Sequence, residues 1–124
     1  SSTVATPAFT LGSVEVTPLS MASAYATFAN RGIHCDPIII ASATTDSGKS
    51  LSVPSANCHR TISQEVADGV NYVLQQVMKS GGTGYITRLT NVKNQAGKTG
   101  TTDSAASVWF DGYTPEVAGA AVIA

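Results

Sequence analysis

Apolar and polar positions follow different rhythms along the 124 residues, and each rhythm predicts a different element. Met21, Ala24, Tyr25 and Phe28 recur at helical spacing on one face. Thr17-Pro18-Leu19 opens that helix, with Thr17 as N-cap and Pro18 at the first helical position. Asn30-Arg31-Gly32 closes it, with a cation in the last turn and a glycine stop. Tyr25 and Phe28 read as core packing. The residues before it, Ser1 to Phe9, read as irregular or extended.

Ile38 to Thr45 is β-branched and apolar, Asp46-Ser47-Gly48-Lys49 supplies turn chemistry, and Leu51-Ser52-Val53 returns, which predicts a hairpin. A second helix opens at Thr61 or Ser63, where Thr61-Ile62-Ser63-Gln64 fits a capping box. Val66, Val70, Val73, Leu74, Val77 and Met78 follow as its buried stripe, leaving Glu65 and Asp68 on a solvated face. Ser80-Gly81-Gly82-Thr83-Gly84 reads as a flexible loop that runs on irregularly to about Lys93. Three strands are expected next: Gln95–Thr102, Ala106–Tyr113 and Val117–Ala124, with Thr114-Pro115-Glu116 turning between the last two. Helix, hairpin, helix and then antiparallel strands is an α+β order, not alternating βαβ.

Composition narrows the function classes. The chain is 43% hydrophobic, enough for a core, and 12% charged, about half the usual share for a soluble domain. Ser, Thr, Ala and Gly make up the difference, a usage that suits secreted or cell-surface domains. Seven basic against eight acidic residues implies neither a nucleic-acid partner nor an anionic membrane surface. No apolar run is long enough to span a bilayer, and no charged-then-apolar leader begins at Ser1, so a membrane anchor would lie outside this chain. The sequence stops in the apolar run Val122-Ile123-Ala124, whereas domain boundaries fall in polar linkers. It is therefore expected to be part of a domain.

Cys35 and Cys58 each have a histidine neighbour, His34 and His59. Zinc is a poor fit, because adjacent residues of an extended segment point to opposite sides and zinc motifs space paired ligands two to four apart. A disulfide is the favoured reading and two free thiols the remaining one. A disulfide would put the chain outside the cytosol.

Chemistry concentrates in Ala96-Gly97-Lys98-Thr99-Gly100-Thr101-Thr102. A phosphate-binding loop would need a glycine where Val92 stands and a helix after its lysine, while Thr-Gly-Thr-Thr favours an extended chain. On a strand, Lys98 would supply a fixed positive charge near a substrate carboxylate and near a proton-shuttling hydroxyl. Gly100 would let substrate lie against the strand. Thr99 and Thr101 would share a face and offer hydroxyls to an anion, and the Thr101 N–H could serve an oxyanion hole.

Lys98-Thr99-Gly100 resembles the KTG box of acyl-serine enzymes that bind penicillin. Its surroundings are similar to class A penicillin-binding proteins. Thr10-Leu11-Gly12, with Val16 through Gly32, looks like the segment those proteins carry before the box; Gly82-Thr83-Gly84 sits at their GTG turn; Val108-Trp109-Phe110-Asp111-Gly112-Tyr113-Thr114-Pro115 resembles their WF-x-GYTP strand and turn. One departure is Ser107, where class A proteins often have Asp.

The resemblance implies an α+β penicillin-binding fold related to serine beta-lactamases, with this chain as the C-terminal portion of the transpeptidase domain. It implies catalytic roles for Lys98 and Thr101, and substrate binding by Lys98, Thr99, Gly100, Thr101 and Thr102. Peptidoglycan stem peptides ending in D-Ala-D-Ala and beta-lactams would be the ligands, without metal or cofactor, on the cell-envelope side of a bacterial plasma membrane. The family's S-x-x-K nucleophile motif is absent, since none of Lys49, Lys79, Lys93 and Lys98 has Ser three residues before it. Ser55-Ala56-Asn57 matches S-x-N only by accident of position. The isolated chain is therefore expected to be inactive, to need the N-terminal half of its domain, and to self-associate. A D,D-carboxypeptidase, or an inert folding or interaction unit, are the alternative readings.

Overall fold

The computed structural model describes residues 14–124 together with Pro7, Thr10 and Gly12. The expectation for Ser1 to Phe9 lies outside the described residues, Pro7 apart, as does Leu11.

Helix α1 (Pro18–Ala29) starts where the sequence predicts: the Thr17 hydroxyl accepts from the Ser20 N–H at 3.2 Å, and proline occupies the first turn. Its covered side carries Tyr25, Thr27 and Phe28, whereas Ala24 is exposed. Arg31 (φ 51°) and Gly32 (φ 91°) end it in left-handed backbone, with Gly32 N–H returning to Thr27 O at 2.8 Å. A Cβ on Gly32 would collide with the Ile62 carbonyl oxygen, so glycine is required there for space as well as conformation. Arg31 lies beyond the last turn and does not cap it. It forks onto Asp68, Nε to Oδ1 at 2.9 Å, and this hydrogen bond holds the Asp68 carboxyl below its ordinary range. Asp68 is thus an interhelical partner, not simply part of a solvated face.

Helix α2 (Gln64–Val77) is capped by Ser63, whose hydroxyl accepts from Val66 N–H at 3.3 Å. Thr61 instead donates its N–H to Gly32 O at 3.0 Å, so it joins the two helix ends and takes no part in a capping box. The expected valine stripe is turned by one residue. Val66 and Val73 are 56% and 62% exposed, and the covered side runs through Ala67, Val70, Asn71, Leu74 and Met78. Ala67, fully buried, presents the smaller surface to the neighbouring elements.

Between the helices, β1 (Ile33–His34) pairs antiparallel with β4 (His59–Arg60), a ladder the sequence reading missed. Cys35 and Cys58 continue it by one residue each and form a disulfide. The hairpin exists, but only β2 (Ala43–Thr44) and β3 (Ser50–Leu51) pair. Residues 38–42 join no strand, and Ile39 is completely exposed. β-Propensity expresses packing against neighbouring strands, and this run pairs with none among the described residues.

Strands β5 (Ala96–Thr101), β6 (Val108–Tyr113) and β7 (Ala118–Ile123) form an antiparallel sheet in that order. Each is two residues shorter than expected, and a 3-10 turn at Asp103–Ala105 occupies the connection between the first two. Registers Ala96↔Tyr113↔Ala118 and Lys98↔Asp111↔Ala120 define one face. Tyr113 on that face packs at 5.8 Å from the Tyr25 ring and donates to Asn71 Oδ1 at 2.6 Å. The Asn71 amide in turn donates to Phe28 O at 2.8 Å, satisfying a carbonyl at the end of α1. One side chain of α2 therefore fastens α1 and β6 together. Asp111 lies on the same face, 5% exposed, and burial pushes its carboxyl up. On the opposite face the Phe110 ring crosses Gly97 and Gly112, where added Cβ atoms would come within 2.9 and 2.6 Å of it.

Candidate active-site edge

β5 is an outer strand, hydrogen-bonded only to β6 among the described residues. Thr102 N–H donates to Ser107 O at 3.0 Å, just past the last residue of β5. An antiparallel ladder alternates, so the N–H and C=O groups of Lys98 and Gly100 also face β6 while those of Thr99 and Thr101 face the open edge. The Lys98 ammonium reaches over that edge to the Thr99 carbonyl at 2.7 Å, which marks the carbonyl as accessible. Lys98 and Thr101 are exposed, and Thr99 and Gly100 are half-buried. The edge thus presents a cation, an outward N–H at Thr101 and the side chains of Thr99 and Thr101 on one face. An anion meeting it would find the cation, the Thr101 N–H and the two hydroxyls, and of the outward carbonyls that of Thr99 is already held by the ammonium.

Two features hold the strand end. A Cβ on Gly100 would approach Trp109 Cβ to 3.3 Å, so the glycine keeps β5 close to β6. Ser107 donates its N–H to Thr102 Oγ1 at 2.8 Å and accepts from the Trp109 indole at 2.8 Å. Thr102, expected to touch substrate, has its hydroxyl engaged in this connection, and Ser107, noted above only as a departure, closes the turn.

The segment from Ser80 is not the loose loop its glycines predict. Gly82 N–H donates to Lys79 O at 2.8 Å and Gly84 N–H to Val77 O at 3.0 Å, both at the end of α2. A 3-10 turn, Tyr85–Thr87, follows, with the Arg88 guanidinium 4.4 Å from the Tyr85 ring centre. The Gln95 amide then pins the far end, accepting from Leu89 N–H at 2.7 Å and donating to Leu89 O at 2.8 Å. As a result the Thr83 hydroxyl lies 3.0 Å from that of Thr99, a contact no local pattern signalled.

Ser55-Ala56-Asn57 belongs to the arm between the helices, where Asn57 bonds Asp36 at 3.0 Å. His34 and His59 face each other across the β1–β4 ladder beside the disulfide, ring centres 5.7 Å apart. An apolar cleft of about 400 Å³ beside Phe110 is lined by Met78, Leu89 and Val117 and includes none of Lys98, Thr99 or Thr101. No helix among the described residues is long and apolar enough to cross a membrane.

Residues 1–124 match the family described as the penicillin binding protein transpeptidase domain. The chain belongs to that family. Its kinship is with the class A branch. It is 34% identical over 121 residues to penicillin-binding protein 1F of Bacillus subtilis, covering 91% of this chain and 16% of that protein. The fold is similar to that of PonA1 from Mycobacterium tuberculosis, with a TM-score of 0.74, 31% identity, and coverage of 93% of this chain and 31% of that one. PonA1 in complex with penicillin V is similar too, with a TM-score of 0.72, 30% identity and the same shares of each chain covered. The chain thus spans less than a third of each of these proteins.

Proposed function

We propose that this chain supplies the ligand-binding sheet edge of a peptidoglycan D,D-transpeptidase, as the C-terminal portion of its transpeptidase domain. The observation that carries the reading is the open edge of β5, where Lys98, the Thr101 N–H and the Thr99 and Thr101 side chains converge. A serine contributed from elsewhere in the domain attacks the carbonyl between two D-alanines of a stem peptide. The peptide C–N bond breaks, the terminal D-alanine leaves with the proton taken from the serine, and an acyl-serine ester remains. An amine of a second stem peptide then attacks the ester, restoring the serine and forming the cross-link. Beta-lactams acylate the same serine by opening their ring, with no fragment expelled.

In this scheme Lys98 supplies positive charge beside the serine and the ligand carboxylate. The Thr101 N–H stabilises the oxyanion, and the Thr99 and Thr101 hydroxyls bind the carboxylate, with Gly100 leaving room for ligand. A penicillin complex of the similar PonA1 supports the ligand class, and the Cys35–Cys58 disulfide supports an extracytoplasmic, cell-wall location. Exposed Val66, Val73, Val117 and Ile123 are surfaces for the rest of the domain to cover; on the isolated chain they and the open edges of β5 and β7 would drive self-association.

Labelling with a fluorescent penicillin tests the reading. The full-length protein should retain covalent label through denaturing electrophoresis, and the isolated chain, which lacks S-x-x-K, should not. An unlabelled, folded full-length protein would overturn the activity; a labelled isolated chain would show the nucleophile to be misplaced.

A further inference from the structure

Thr83 and Thr99 come from segments 16 residues apart, yet their hydroxyl oxygens are 3.0 Å from each other. We propose that Thr83 is a positioning residue for Thr99, orienting the hydroxyl that receives the ligand carboxylate; this rests on the assignment of the β5 edge to ligand binding. Each hydroxyl has one proton to give and lone pairs to receive another. If Thr99 donates to Thr83, its proton is spent inside the protein and its lone pairs meet the incoming anion. If Thr83 donates to Thr99, the Thr99 proton is free for the carboxylate, and the two bonds in series strengthen each other. An arriving carboxylate selects the second arrangement.

The turn is built to hold Thr83 in place. Both its neighbours are tied by their N–H groups to carbonyls at the end of α2, Gly82 to Lys79 at 2.8 Å and Gly84 to Val77 at 3.0 Å. A Cβ at 82 would collide with the Val77 carbonyl oxygen, and one at 84 would come within 3.0 Å of Met78 Sδ. The glycines let the turn sit directly on the helix end, so α2 rather than a loose loop sets where the Thr83 hydroxyl stands. A serine in its place keeps the donor; valine and alanine remove it.

The test uses the full-length protein, benzylpenicillin and its methyl ester, which lacks the anionic carboxylate. Thr83→Val and Thr83→Ala should each lower the second-order acylation constant for benzylpenicillin about two- to tenfold, the range of one neutral hydrogen bond. The ester should be acylated at an unchanged rate, and Thr83→Ser should restore the benzylpenicillin rate. Thr83→Val combined with Thr99→Val should be no worse than Thr99→Val alone. Equal losses for acid and ester, additive losses in the double variant, or no loss at all would each overturn the proposal. Lys98→Ala separates the two levels: if it disables acylation while Thr83→Val does nothing, only the positioning role fails. If Lys98→Ala also does nothing, the site assignment itself fails.

Discussion

The helices with the three-stranded sheet, and the arm between Ile33 and Arg60, keep their shapes by different means. In the first, Asn71 fastens α1 to β6 through Phe28 O at 2.8 Å and the Tyr113 hydroxyl at 2.6 Å, over a core that includes Ala67, Met78, Ala96 and Tyr113. In the arm no residue from Ile33 to Arg60 is fully buried, each ladder is two residues long, and Ile38, Ile39, Ile40 and Leu51 face solvent. A covalent bond between Cys35 and Cys58 closes it. The edge proposed to bind ligand belongs to the packed region, so the arm can change with little consequence for chemistry.

Breaking either fastening should loosen its own region first. Asn71→Ala strands the Tyr113 hydroxyl and leaves the Phe28 carbonyl with the Arg31 N–H alone, and is expected to cost about 3 kcal/mol in urea unfolding. Replacing both cysteines by serine should cost about 3 kcal/mol through the unfolded chain. Hydrogen exchange should then rise between residues 33 and 60 while β6 stays protected, and acylation of the full-length protein should not change. A fall in acylation would mean that the arm and the sheet edge are coupled.

Asp111 sharpens the comparison from the packed side. It is buried, its Oδ1 has no hydrogen-bond partner among the described residues, and burial raises its carboxyl above the ordinary range. A carboxyl raised on folding contributes stability that is complete below the unfolded value and is lost as pH rises through the folded one. Asp111→Asn should therefore stabilise the fold at pH 7, and the gain should vanish in acid. Tyr113 gives an alkaline effect. Burial first, and Tyr25 second, push its phenol up to about 12. Stability should then be unaffected below the unfolded value near 10 and fall between there and 12, and Tyr113→Phe should flatten that limb.

What the sequence announced were features with a local cause. Thr17-Pro18 starts α1 because the cap and the fixed proline torsion act within one turn. The last two sheet strands flank Thr114-Pro115-Glu116, a turn whose residue types act locally. Non-local features escaped. The β1–β4 ladder consists of Ile33-His34 and His59-Arg60, too short and polar to carry a strand pattern. Residues 38–42 look like a strand and are not one, since β-branching gains nothing without a neighbouring strand. Arg31 with Asp68, Tyr113 with Asn71 and Thr83 with Thr99 are pairs made by the fold, at separations no window spans.

Central to the account is the charge on Lys98 at the open edge of β5. The second-order rate of acylation by benzylpenicillin, measured on full-length wild-type and Lys98→Ala protein with thermal unfolding alongside, tests it most directly. A well-folded Lys98→Ala variant should lose about 10²–10³ in rate, the usual effect of removing one preorganised electrostatic donor. An unchanged rate in a folded variant would leave the chain with the family's architecture and without the chemistry assigned to its edge.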